Sequence, residues 1–158
     1  MQVQVVKRDA FEAVGLMWEG TYEAAGKGEI RELLAVLQRR LAEIGGVADR
    51  EHIVGISWNE PTPARQASGD GFRYFVGVRV AGGAGVPEGM TRISVPAAEY
   101  ATHENVSRDV FGSYRKLFGW IVEHGRAQDG SSLSLMDEYA VGMDPFGDSP
   151  VRLMVPVK

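Results

Sequence analysis

Two apolar stripes of helical period, half a chain length apart, each stand among short alternating segments, and this arrangement constrains the fold more than any other feature. The first stripe is Ile30, Leu33, Leu34, Leu37, Leu41 and Ile44, recurring at three- and four-residue steps between about Gly28 and Glu43. Gly45-Gly46 supplies a left-handed stop. The second stripe starts at Ser107, read as an N-cap with Asp109 in the first turn, and carries Val110, Tyr114, Leu117, Phe118 and Ile121 before Gly125.

Around the stripes the period changes to two. Strands are predicted at 1–7, 11–20, 53–58 and 72–80 in the first half, and at 91–95, 98–104, 132–140 and 151–157 in the second. Gly20, Gly26 and Gly28 mark a loop before the first helix, and the prolines of Asn59-Glu60-Pro61-Thr62-Pro63 end a ladder. Ala81-Gly82-Gly83-Ala84-Gly85 separates the two series. The order of elements is the same on both sides, a self-similarity that implies an internal repeat. The expected fold is α+β, one unit over 1–158 with halves of about 1–82 and 86–158. Each half packs a helix on antiparallel strands, leaving a central pocket where the halves meet.

Composition removes several function classes. There is no cysteine, hence no disulfide, no thiolate nucleophile and no Cys-based zinc site. A net charge of −4 and a pI near 5.4 argue against a surface that neutralises phosphates, so no direct nucleic-acid binding is expected. No basic-then-apolar leader opens the chain, and no run approaches the ~18 apolar residues of a membrane span. A cytoplasmic location is expected. A helix-turn-helix ahead of the first strand is not expected. His52, His103 and His124 are scattered without metal-ligand spacing, so neither metal nor cofactor is expected.

Asp137 is the most informative residue. Along 132–140 one face presents Leu133, Leu135, Asp137 and Tyr139, and the other presents Ser134, Met136, Glu138 and Ala140. An acid on the apolar face pairs with an arginine, shifts its pKa upward, or serves a site. A one-residue bulge would exchange it with Glu138. Trp18, Tyr22, Trp58, Tyr74, Tyr100, Trp120 and Tyr139 fall near strand ends or on helix flanks. Rings of this kind serve either as core or as walls for flat or cationic ligands. A carboxylate among them favours a lipophilic cation.

The second half carries further motifs. Pro87-Glu88-Gly89-Met90 followed by Ile93-Ser94-Val95-Pro96-Ala97-Ala98-Glu99-Tyr100-Ala101 resembles the "P-x-G-x … I-P-A-G-x-Y-A" segment of the GyrI-like small-molecule-binding family. Tyr114 and Trp120 match its "Y … W" spacing, Met136-Asp137-Glu138-Tyr139 falls at its "F-E-x-Y", and Trp58-Asn59-Glu60-Pro61 resembles its "Y-D-x-P" turn. The resemblance covers nearly the whole chain. It implies related halves around a pocket that accepts lipophilic, often cationic, compounds, as in the effector-binding half of AraC- and MerR-type multidrug regulators. The family glutamate corresponds to Asp137, one methylene shorter, and the family tyrosine to Tyr139.

The resulting expectation is a stand-alone binding protein that senses or sequesters lipophilic compounds, with Asp137, Tyr139 and the surrounding rings as ligand-binding residues. The alternative is a hydrolase of cyclopropane-bearing alkylating compounds, in which Asp137 or Glu138 would polarise water or protonate the substrate. A pair of pocket-facing carboxylates would mark it. A protein partner, as in the gyrase-inhibiting branch of the family, is a third reading without an apolar patch to support it.

Overall fold

The computed structural model describes residues 2–58, 71–105 and 110–158. Its elements in order are β1 (Gln4–Arg8), β2 (Phe11–Thr21), α1 (Tyr22–Gly26), α2 (Glu29–Arg40), β3 (His52–Trp58), β4 (Gly71–Val80), β5 (Thr91–Val95), β6 (Ala98–Asn105), α3 (Val110–Glu123), β7 (Leu135–Ala140) and β8 (Val151–Val157). The turn at 59–63, and the N-cap read at Ser107 with Asp109, lie outside the described residues.

All eight strands join one antiparallel sheet in the order β1-β6-β8-β7-β3-β4-β2-β5. Exchange each strand of the first half for its counterpart in the second and the order reads backwards. The internal repeat is therefore a pseudo-two-fold whose axis passes between β3 and β7. The segments after the two long helices repeat as well: Val47 bridges Val80 at the end of β4, and Gln128 bridges Val157 at the end of β8.

The sheet must curl. Asp9-Ala10 joins β1 to β2, and Pro96-Ala97 joins β5 to β6, yet each pair lies at opposite ends of the sheet order. A two-residue link spans at most about 10 Å, whereas eight flat strands extend over roughly 33 Å. The two ends can meet only if the sheet wraps around one of its faces. That inner face holds a core drawn from both ends, with Ala13, Phe75, Val95, Tyr100, Met136 and Met154 packed together and Val6 and Phe11 against them.

The helices cover the outer face. Leu34 and Leu37 of α2 pack on Val14, Leu16, Val76 and Val78 of the first half. Tyr114, Leu117 and Ile121 of α3 pack on Ala101, Leu153, Val155 and Val157 of the second. The helical stripes read from sequence are the surfaces buried. Deleting one such side chain, as in Leu37→Ala, removes about 2–5 kcal/mol of stability.

Three local expectations are corrected. The loop expected at 20–28 contains α1, because the Thr21 hydroxyl caps it by accepting from Ala24 N at 3.1 Å, with Glu23 in its first turn. The first long helix ends at Arg40, and a single 3-10 turn continues to Glu43. The strand expected from 132 begins at Leu135, so alternation does not extend back to Leu133, which joins the inner core instead.

Candidate ligand-binding site

β7 carries the site beside the pseudo-two-fold axis. Its pleat turns Leu135, Asp137 and Tyr139 to the helix-covered face and Met136 and Glu138 to the inner face, so no bulge exchanges the two acids. Asp137 is buried, and three phenols surround it. Tyr74 from β4 donates to Oδ2 at 2.8 Å, and Tyr139 approaches the same oxygen at 3.4 Å. Tyr114, from α3, donates to Oδ1, and its hydroxyl also lies 2.9 Å from the Met136 carbonyl.

These bonds define the electrostatics. Burial pushes the Asp137 carboxyl above its ordinary value, opposed by the hydrogen bonds from Tyr114, Tyr74 and Tyr139. Burial, and then the Asp137 charge, raises all three phenols, so they remain donors. Among the described residues no lysine, arginine or histidine forms an ion pair with Asp137. Among these residues its charge is met by the hydroxyl dipoles of Tyr74, Tyr114 and Tyr139.

A run of rings leads from the acid to the surface. Tyr74 meets Phe72 edge-on at 6.5 Å, Phe72 meets Trp18 edge-on at 5.1 Å, and Tyr22 stacks on Phe72 at 4.6 Å. Tyr22 is the exposed end, at 38%. Trp18 is tied to the first turn of α2 by its Nε1 donating to Glu29 at 3.1 Å. On the same side Gln38 of α2 donates to the carbonyls of Val141 and Met143, and Arg31 to that of Pro145. These bonds pin the segment after β7 against the helix.

Of the residues singled out in sequence, Asp137, Tyr139, Tyr74, Trp18 and Tyr22 lie on this face. Trp58 and Tyr100 lie on the inner face: Trp58 donates to Ser132 O at 3.0 Å under the Arg73 guanidinium, and Tyr100 is fully buried in the inner core. Trp120 packs with the α3 cluster and stacks on His124 at 3.9 Å. Tyr114 and Phe72 were not among the expected ligand residues. Tyr114 belonged to an apolar stripe that masks a polar role, and Phe72 carries no polar atom to signal one.

The comparisons agree with this architecture. The whole chain, residues 1–158, matches the model of the GyrI-like small molecule binding domain. The chain belongs to that family and is a small-molecule-binding domain. It is 31% identical over 162 residues to the transcriptional regulator BrlR of Pseudomonas aeruginosa, covering 99% of this chain and 56% of that protein. The chain thus spans about half the length of that curated relative.

Among solved structures, SAV2435 bound to tetraphenylphosphonium has a TM-score of 0.68 at 15% identity, covering 100% of this chain and 94% of that one. The EcmrR C-terminal domain also gives 0.68, at 10% identity, covering 99% and 97%. A hydrolase from Listeria innocua gives 0.57 at 11% identity, covering 99% and 92%. At these identities the likeness is one of fold. No helix among the described residues is long and apolar enough to cross a membrane.

Proposed function

We propose that the domain binds lipophilic, aromatic cations on the helix-covered face, with Asp137 as the counter-charge and Tyr74, Tyr114 and Tyr139 around it, and that it serves as a sensor or sequestering module for such compounds. One observation carries the reading: Asp137 is a buried carboxylate held by three phenols and, among the described residues, paired with no cation. Keeping a charge there is expensive unless something neutralises it. A ligand cation would supply the missing partner, and the rings from Tyr74 to Tyr22 would offer their faces to its apolar body. The phosphonium bound by a protein of the same fold is a cation of this type.

The hydrolase reading has a neighbour's name in its favour. Its mark would be two carboxylates converging on one cavity. Asp137 and Glu138 instead leave β7 on opposite faces, and Glu138 is taken by Arg8 and Arg79. Binding therefore fits the geometry better than acid–base catalysis by this pair.

The test is a fluorescence titration with tetraphenylphosphonium competing against a cationic rhodamine. Saturable binding by the wild type, weakened at least tenfold in Asp137→Asn, is expected. Equal affinity in the two proteins would remove Asp137 from the site.

A further inference from the structure

The inner face of β7 carries a second buried acid in a different setting. Glu138 Oε2 accepts from Arg79 at 2.8 Å and Oε1 from Arg8 at 3.3 Å. Arg79 also reaches Asp49 at 3.5 Å, and Asp49 is met by the His52 ring at 3.0 Å and by the backbone N–H of Glu51 at 2.8 Å. These side chains line a cavity of about 450 Å³ that Arg152 borders from β8. Arg152 itself pairs with the exposed Glu104, at 3.9 Å.

Donors and acceptors do not balance here. Both oxygens of Glu138 are engaged, and so are both of Asp49. Three guanidiniums present about fifteen N–H groups, five each, far more than these acids accept. Tyr100 joins the cluster with a hydroxyl that can both donate and accept. Its hydroxyl is buried without a hydrogen-bond partner among the described residues, in the field of Arg79, Arg8 and Glu138. Arg8 and Arg152 are exposed enough to turn N–H groups toward the open cavity, and the planar fork of arginine fits a carboxylate.

A second cavity, of about 660 Å³, adjoins it. Phe11, Val80, Val95 and Pro96 line it, and it shares Arg79 as a wall. The Arg79 guanidinium lies 4.6 Å over the Phe11 ring, between the polar space and the apolar one.

We propose that the inner face of the curled sheet is a second binding site, taking a small organic carboxylate whose head lies among Arg8, Arg79 and Arg152 and whose apolar body rests beside Phe11 and Pro96. The site is separate from Asp137, on the other side of the same strand. One domain would then receive a cation on one face and an anion on the other.

An NMR titration of the full chain with 1-naphthoate, 1-naphthylmethanol and inorganic phosphate tests this. Saturable shifts around Arg79, Arg152 and Phe11 are expected with naphthoate, and binding at least about tenfold weaker with the neutral alcohol or with phosphate. Arg152→Gln, which leaves the Glu138 pair intact, is expected to weaken naphthoate about tenfold without lowering the unfolding midpoint, and Asp137→Asn to leave it unchanged. Equal binding of the alcohol or of phosphate, wild-type affinity in Arg152→Gln, or shifts centred on Asp137 would each overturn the proposal.

Discussion

Gly55 of β3 and Asp137 of β7 are register partners, and the Tyr74 hydroxyl reaches the acid across Gly55. A Cβ on Gly55 would lie 2.0 Å from that hydroxyl and 3.3 Å from Asp137 Oδ2. The missing side chain on one strand is the space in which a phenol from the next strand meets a carboxylate from the previous one.

Gly55→Ala is therefore expected to displace Tyr74 and to destabilise the fold by about 1–3 kcal/mol, as overpacking does. Urea unfolding measures it. Cation affinity should fall in the same variant, and Gly55→Ala combined with Tyr74→Phe should lose less than the sum of the single changes, because the two alter one contact. Full additivity would mean that the phenol does not occupy that space.

The pH dependence of Asp137 follows from the direction of its shift. Its folded pKa lies above the unfolded value, so between the two the native state holds the extra proton and stability falls as pH rises. Asp137→Asn should accordingly raise the unfolding midpoint at pH 7. The gain should shrink as pH falls through the raised pKa toward the ordinary aspartate value of 3.8. A midpoint lowered at neutral pH would mean that the ionised acid stabilises the fold.

Cation binding should depend on pH in the opposite sense. Protonation removes the counter-charge, so affinity for tetraphenylphosphonium should decline on acidification, beginning above the range of an ordinary aspartate. A flat profile between pH 4 and pH 8 (roughly the span of the expected change) would exclude Asp137 as the attracting charge.

Tyr114→Phe removes a buried donor from Asp137 and from the space beside the Met136 carbonyl. A loss of about 2 kcal/mol is expected for a bond to a charged acceptor. The bond lowers the Asp137 pKa, so its removal should move that pKa further up, as a carboxyl-resolved NMR titration would detect.

Glu138→Gln should be the more damaging change on the inner face. It strips the charge that neutralises Arg79 and Arg8, of which Arg79 is the less exposed, at 16% of its side chain against 40%. A loss of about 3 kcal/mol is expected, toward the low end for a buried pair because Arg8 can turn to water. Calorimetry with and without 1 M salt (a concentration that screens beyond roughly 3 Å) would separate this local loss from general screening.

Much of the outer face was legible in the residues. The stripes at Leu34 and Leu37, and at Leu117 and Ile121, became the buried sides of α2 and α3, and Asp137 faced the helices with Leu135 and Tyr139. The repeat appears as the reversed symmetry of the strand order. What misled was the reach of alternation. Leu133 was grouped with Asp137, but the chain before Leu135 is not strand, and the last turn-like residue, Ser134, bonds its N–H to Ser57 O at 2.9 Å. Tyr114 read as core because its period was that of the core, and only the packing of α3 brought its hydroxyl to the acid.

A period of two or of 3.6 states which side chains share a face within one element, and local chemistry enforces it. It does not state which elements lie side by side, in what register, or whether the opposite face meets water. Those followed from two short links that draw the ends of an eight-stranded sheet together. The curl encloses the inner face, so Glu138, set opposite Asp137 by its own strand, is buried as deeply, with arginines from β1 and β4 beside it. Alternation separated the two acids; the closure of the sheet gave each its partners.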